Sequence, residues 1–114
     1  MPNDTALDAI YSALRGLALR QRTVADNIAN VNTPGYTARR VSFEGSLRGA
    51  LATGDPSLAT PDVVASTDPA GVDGNNVNLD DETVSLVQTG LQYQTMLEAM
   101  NAKFRLLRDA MKET

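Results

Sequence analysis

The residues closest to chemistry in this chain are the oxygen-bearing side chains between 73 and 82. Asp73-Gly74-Asn75 is followed by Asp80, Asp81 and Glu82. Oxygen-rich runs hold calcium when ligands alternate along a loop that turns sharply at a glycine. Here Val77 occupies a ligand position and Asn78 stands where the glycine is needed, so the EF-hand pattern fails. The carboxylates instead suit the positive N-terminus of a helix opening at that point. The chain contains no Cys and no His. That removes thiolate nucleophiles, disulfides, Cys/His zinc sites and imidazole acid–base work. No glycine-rich phosphate loop and no serine with a base partner occurs. The expectation is a protein that is no enzyme and that uses no cofactor and no metal.

The elements that carry these residues are helices. At 114 residues the chain is one domain at most. With two Phe, three Tyr and no Trp, it has few large core anchors, and its many Ala, Leu, Val and Met suit helix seams. The net charge of −4 is unevenly laid out. Residues 49–82 hold seven acidic side chains and no basic one, whereas residues 15–48 hold six arginines against Asp26 and Glu44. This is no dense basic stripe with aromatic platforms, so no nucleic-acid partner is expected. No run approaches the roughly 20 apolar residues that span a bilayer, so direct membrane insertion is not expected. Met1-Pro2-Asn3-Asp4 lacks the basic and apolar parts of a cleaved signal.

Leu7, Ile10, Leu14, Leu17, Gln21, Val24, Ile28 and Val31 alternate steps of three and four, a heptad seam with one polar member. Asn3, Asp4 and Thr5 offer caps, which predicts a helix from about Thr5 to Ala29 or Asn30. Leu79, Thr83, Leu86, Gly90, Tyr93, Leu97, Met100, Phe104, Leu107 and Met111 repeat the alternation near the C-terminus, with Asn78 as cap. Val84, Val87 and Leu91 form an extra stripe that a two-helix hairpin leaves uncovered. Gly16 and Gly90 interrupt the helices at a cost of about 1 kcal/mol each relative to Ala. They are either tolerated or mark a close approach.

Between the helices, Thr33 precedes Pro34 and leaves the helical region, and Pro34-Gly35 fits the centre of a type II turn with Gly35 at positive φ. Asn30 or Asn32 is a candidate for a left-handed cap. Val41, Phe43 and Leu47 suit a short extended segment or loose packing on the helices. Residues 51–78 are punctuated by Asp55-Pro56, Thr60-Pro61, Asp68-Pro69 and Asp73-Gly74, with Val63-Val64 as a brief strand. The expected fold is all-α. An N-terminal helix (1–32) and a C-terminal helix (79–114) form a coiled-coil-like hairpin, joined by a turn and a flexible, largely irregular acidic segment (33–78).

Asn27-Ile28-Ala29-Asn30 followed by Thr33-Pro34-Gly35-Tyr36 closely resembles the N-terminal signature of bacterial flagellar axial proteins, the rod, hook and hook-associated families. Gly74-Asn75-Asn76-Val77-Asn78-Leu79-Asp80 with Glu82, continued by Leu91-Gln92-Tyr93-Gln94, looks like the opening of the C-terminal helix in the proximal-rod branch. The resemblance covers roughly residues 1–43 and 74–114. It implies a structural subunit of the flagellar basal-body rod, polymerising through its terminal helices in a torque-transmitting periplasmic rod required for motility. It also implies export by the flagellar type III apparatus without a cleaved signal. The implied partners are the chain itself, other rod proteins, membrane-ring/rod adaptors and that apparatus. In this likeness Asn27, Ile28, Ala29, Asn30, Thr33, Pro34, Gly35 and Tyr36 form the assembly motif. Ile28 packs in the seam, Asn27 and Asn30 satisfy backbone groups or bridge to a neighbour, and Pro34-Gly35 directs the outgoing chain. Leu7, Ile10, Leu14, Leu17, Val24, Leu86, Tyr93, Leu97, Met100, Phe104 and Leu107 are the implied helix seams. The alternatives are a neighbouring proximal-rod protein, or a soluble helical-hairpin adaptor or export chaperone.

Overall fold

A carboxylate starts the fold. Asp4 accepts a hydrogen bond from the Leu7 N–H at 3.0 Å and caps α1, Thr5–Ala29. That bond, with Lys103 3.1 Å away, holds the Asp4 carboxyl below its ordinary pKa. The computed structural model describes residues 4–113; the capping candidate Asn3 and the segment Met1-Pro2 lie outside the described residues. At the other end of the chain, the Asn78 side chain accepts from the Asp81 N–H at 3.2 Å and caps α3, Leu79–Lys112. Lys103 meets Asp4 at one end of the helix pair, and Glu82 meets Asn27 at the other, so the two helices run antiparallel. With 25 and 34 residues they are about 37 Å and 51 Å long, and the last turns of α3 pass beyond the start of α1.

The middle of the chain is folded, which corrects the expectation of a largely irregular segment. It contains β1 (Arg39–Ser42), α2 (Glu44–Ala52), one 3-10 turn (Pro56–Leu58) and β2 (Asp62–Ala65). β1 and β2 pair as an antiparallel ribbon, with Arg39 opposite Ala65 and Ser42 opposite Asp62. The protein is therefore mostly helical, with two long terminal helices, but not strictly all-α. The Val63-Val64 strand lies in β2, and Val41 lies in β1. The ribbon brings together segments about twenty residues apart, and no local periodicity announces such a pairing.

Ser12, Gly16, Arg20 and Asn27 of α1 all meet this middle segment. The Ser12 hydroxyl donates to the Pro56 carbonyl at 2.9 Å in a buried contact. A Cβ at Gly16 would enter the Phe43 ring, so this glycine marks a close approach, to an aromatic ring instead of a helix. Gly90 does not: a Cβ there would stand 3.8 Å from Gln21, an ordinary contact. Leu17, Val41 and Phe43 form the core cluster, with Tyr93 and Met96 of α3 packed against it.

Arg20 closes the cluster. Its guanidinium lies 4.9 Å from the Phe43 ring centroid, grips the Glu44 carboxylate at 2.6 and 2.9 Å, and donates to the Val41 carbonyl at 2.8 Å. Arg20 pulls the Glu44 pKa from 4.5 to about 2, with the Glu44 and Phe43 N–H groups adding to it against a desolvation penalty. Because the folded pKa is the depressed one, this stabilisation is complete above about 4.5 and disappears as pH falls through about 2. The Glu44 side chain is 53% exposed, so solvent screens the gain. Urea midpoints should show wild type above Glu44→Gln at pH 6, with the gap closing between pH 4.5 and 2. A gap that holds constant down to pH 2 would contradict this.

The helix contact is rotated from the one the heptad count suggests. On α1, Leu14, Leu17 and Val24 are buried, and Leu7, Ile10 and Ile28 are partly buried. On α3, Leu86, Tyr93, Met100 and Leu107 are partly buried, but Leu97 and Phe104 are 37% and 49% exposed. Glu82 and Thr89 are buried in place of Thr83 and Gly90, while Met96 and Lys103 face the core and Asp4. Two apolar stripes overlap on α3, and a count of apolar positions favours the one that the structure turns away from α1.

Candidate functional site

Where α1 ends, its backbone bonds shorten before the chain leaves. The Asn30 N–H reaches both Asp26 and Asn27 carbonyls at 3.1 Å, Val31 donates to Ile28, and Thr33 to Asn30. Asn30 sits at φ −106, and no non-glycine residue among those described has positive φ, so neither Asn30 nor Asn32 forms the expected left-handed cap. Side chains do that work. Asn30 Nδ2 donates to the Asp26 carbonyl at 2.8 Å, and its Oδ1 accepts from the Thr33 hydroxyl at 3.0 Å. The Tyr36 N–H then closes on the Thr33 carbonyl at 3.2 Å, with Gly35 at φ +74, as a type II turn around Pro34-Gly35 requires.

Asn27 is fully buried and uses its whole amide. Its Nδ2 donates to the Arg39 carbonyl at 2.9 Å and to Glu82 Oε2 at 3.1 Å. Its Oδ1 accepts from the Arg39 N–H at 3.0 Å and from the Tyr36 hydroxyl at 3.3 Å. One side chain thus holds the first residue of β1 by both backbone groups and ties α1 to α3. Glu82 is 1% exposed, and Arg40 donates to its other oxygen at 2.5 Å. Arg40 also reaches Asp68 at 3.5 Å. Asp80 and Asp81 stay exposed while Glu82 turns inward, so the three carboxylates do not converge.

The second sequence block meets the first here. Asn75 Nδ2 donates to the Asn30 and Thr33 carbonyls, both at 2.8 Å, and its Oδ1 accepts from the Val77 N–H at 2.7 Å. Asn76 Oδ1 accepts from the Ala38 N–H at 2.6 Å, and Nδ2 donates to the Asp68 carbonyl at 3.1 Å. Gly74, at φ +81, lies against Gly35: a Cβ on Gly74 would stand 3.3 Å from the Gly35 Cα. The Gly35 N–H donates to the Asp73 carbonyl at 2.9 Å. Among the described residues, no buried side-chain nitrogen or oxygen lacks a partner.

Of the motif residues, Asn27 is buried, Ile28, Asn30 and Tyr36 are partly buried, and Ala29, Thr33, Pro34 and Gly35 lie on the surface. Sequence reasoning quoted Asn75 and Asn76 without giving them this role, and did not single out Arg40 or the inward turn of Glu82. The available signal was the Asn75-Asn76 pair directly ahead of the Asn78 cap. A Cβ on Gly35 meets nothing within 4 Å, so substitution there acts on the backbone alone. Gly35→Ala should cost about 1–2 kcal/mol in urea unfolding. Gly45→Ala, in equally open space inside α2, should gain up to about 1 kcal/mol. Shifts of the same sign would refute the assignment.

This arrangement binds segments of chain to one another. A family model described as flagella basal body rod protein matches residues 7–37, which span α1 and the turn. The chain is 35% identical over 112 residues to flagellar basal body rod protein FlgB of Bacillus subtilis (strain 168), covering 87% of each chain. It is 31% identical to the FlgB of Escherichia coli (strain K12), over 90% of this chain and 89% of that one. With the FlgB of Aeromonas hydrophila the identity is 32%, over 96% and 94%. Identity of 31–35% over 87–96% of the chain means that the chain belongs to the FlgB family of flagellar basal body rod proteins.

Proposed function

We propose that this chain is a structural subunit of the flagellar basal-body rod that polymerises through its terminal helices and so helps to carry torque for motility. Its proposed partners are further copies of itself, other rod proteins and the membrane-ring/rod adaptors. The flagellar type III apparatus is its proposed export route, without a cleaved signal. Organisation into a terminal helix (1–32), a middle segment (33–78) and a second terminal helix (79–114) belongs to the same reading. So does the role of residues 27–36 as an assembly motif.

Beside the family membership, the observation that carries this reading is the outer face of α3. Val84, Val87 and Leu91 are 65%, 59% and 61% exposed. They line a shallow apolar groove of about 360 Å³ with Thr83 and Gln88. Residues 83–97 carry no charge at all. Over four turns, a helix face meant for water would hold charges, and a face meant for another chain would not. Phe104, Leu106 and Met111 continue the exposure at 49%, 66% and 70%. Among the described residues no helix is long and apolar enough to cross a membrane.

The direct test is peptide mass spectrometry of purified, detergent-extracted hook–basal bodies. Stoichiometric peptides of this chain are expected; their absence, with the chain recovered from the cytosol, would overturn the proposal. Leu91→Asp tests the face. Its urea midpoint should stay within about 0.5 kcal/mol of wild type, because the site is on the surface, while the variant disappears from basal bodies. Wild-type recovery of Leu91→Asp in basal bodies would remove α3 as the assembly face.

A further inference from the structure

The seam of α3 contains a contradiction that hydrophobicity alone does not resolve. Leu86, Tyr93, Met100 and Leu107 belong to either of two overlapping stripes. One is completed by Glu82, Thr89, Met96 and Lys103, the other by Thr83, Gly90, Leu97 and Phe104. The second is the more apolar, and a turn of roughly 50°, half the angle between successive residues, would exchange them. The structure faces the first toward α1. Glu82 and Thr89 are 1% and 2% exposed, while Leu97 and Phe104 are turned out.

The difference lies in polar contacts at the two ends. Near its start, α3 is held by Glu82, whose carboxylate takes Arg40 at 2.5 Å and Asn27 at 3.1 Å. Twenty-one residues on, Lys103 is held by Asp4 at 3.1 Å. Both groups sit on the same stripe, six steps of the heptad alternation apart. In the rotated register each would leave its partner. Arg40 would keep only its exposed contacts with Asp68 and the Arg39 carbonyl, and the fully buried Asn27 amide would lose an acceptor. We infer that the Glu82 and Lys103 clamps set the rotation of α3 about its own axis, and so decide that its more apolar stripe is displayed instead of buried. Buried polar groups fix register in coiled coils by the same physics, because a misaligned polar partner is costly while apolar partners are interchangeable. The inference concerns the isolated chain and stands or falls separately from the assembly reading.

Because the chain has no cysteine, single thiols report the rotation cleanly. Thr89→Cys places a thiol at a buried position, and Thr83→Cys places one at an exposed position of the alternative stripe. In the wild-type background, iodoacetamide should label position 83 much faster than position 89. Adding Glu82→Ala and Lys103→Ala together should speed labelling at 89 roughly tenfold and slow it at 83, since thiol reactivity follows access. General loosening would raise both rates, so the opposed changes identify a rotation. An unchanged order in a variant that keeps its helical circular dichroism overturns the inference, as does a rise at both positions. If the alanine pair loses its helix, Glu82→Gln with Lys103→Gln is read by the same two thiols. Loss of helix in that pair too also overturns it, because the clamps would then hold the helix together instead of orienting it.

Discussion

Asn27→Ala should be among the most damaging single substitutions in this chain, lowering unfolding free energy by about 3 kcal/mol or more. The Asn27 side chain is fully buried and serves the Arg39 N–H, the Arg39 carbonyl, the Tyr36 hydroxyl and Glu82 at once. Removing it takes a partner from the buried Glu82 carboxylate and from three part-buried groups at once. Each buried unsatisfied donor or acceptor costs about 1–3 kcal/mol, and native domains have only about 5–15 kcal/mol in total. Asn30→Ala is the control. Its two side-chain bonds are local and near solvent, so about 1 kcal/mol is expected there, as for lost capping. Urea midpoints measured on both variants check the ranking, and hydrogen exchange at residues 36–40 should accelerate for Asn27→Ala alone. Equal, small shifts would mean that the Asn27 hydrogen bonds add no more to stability than a local cap.

Gly16→Ala should also destabilise, against the usual rule. In the interior of a helix this change normally gains about 1 kcal/mol. Here the added Cβ would enter the Phe43 ring, which packs on Leu17 and Val41 and under the Arg20 guanidinium. The ring has to leave its site, and displacing a core aromatic or overpacking its site costs about 2–4 kcal/mol. A double-mutant cycle isolates the cause. In a Phe43→Ala background, Gly16→Ala should become neutral or stabilising. If it stays as destabilising there, the ring is not the reason for the glycine.

Both substitutions act where the chain meets itself across long sequence separations, and this separates what was legible from what was not. The limits of α1 were readable because they depend on neighbours in sequence. Asp4 caps three residues ahead of its bond partner, and Pro34-Gly35 imposes its own geometry. The cap at Asn78 is local in the same sense. Of the middle segment only the brief strand at Val63-Val64 and the extended option at Val41 were readable. Arg39–Ser42 pairs with Asp62–Ala65, and Asn76 holds Ala38, through contacts that no stripe or capping box records. Phe43 was visible as an apolar residue and Gly16 as a helix interruption, but only the fold puts one on the other. The family likeness marked Asn27 as satisfying backbone groups or bridging to a neighbour, without saying which groups or why. The reason is the ladder it completes: a bare helix stop needs Asn, Pro and Gly, whereas a helix end that must also anchor a strand needs a buried amide with two donors and an acceptor.

By itself the sequence determined two long helices, the sharp exit between residues 33 and 36, the absence of Cys and His chemistry, and an apolar stripe that no hairpin covers. These follow from backbone geometry, from a period of three and four, and from residue types, none of which needs a partner in space. Tertiary structure alone decided the folded middle, the burial of Glu82 with Arg40 and Asn27, and the face that α3 turns toward α1. The physical reason is that apolar side chains are interchangeable, so burial alone does not commit α3 to one of its two overlapping stripes. Polar partners are not interchangeable: each needs a donor or acceptor at a fixed distance and direction, and only the assembled chain supplies it.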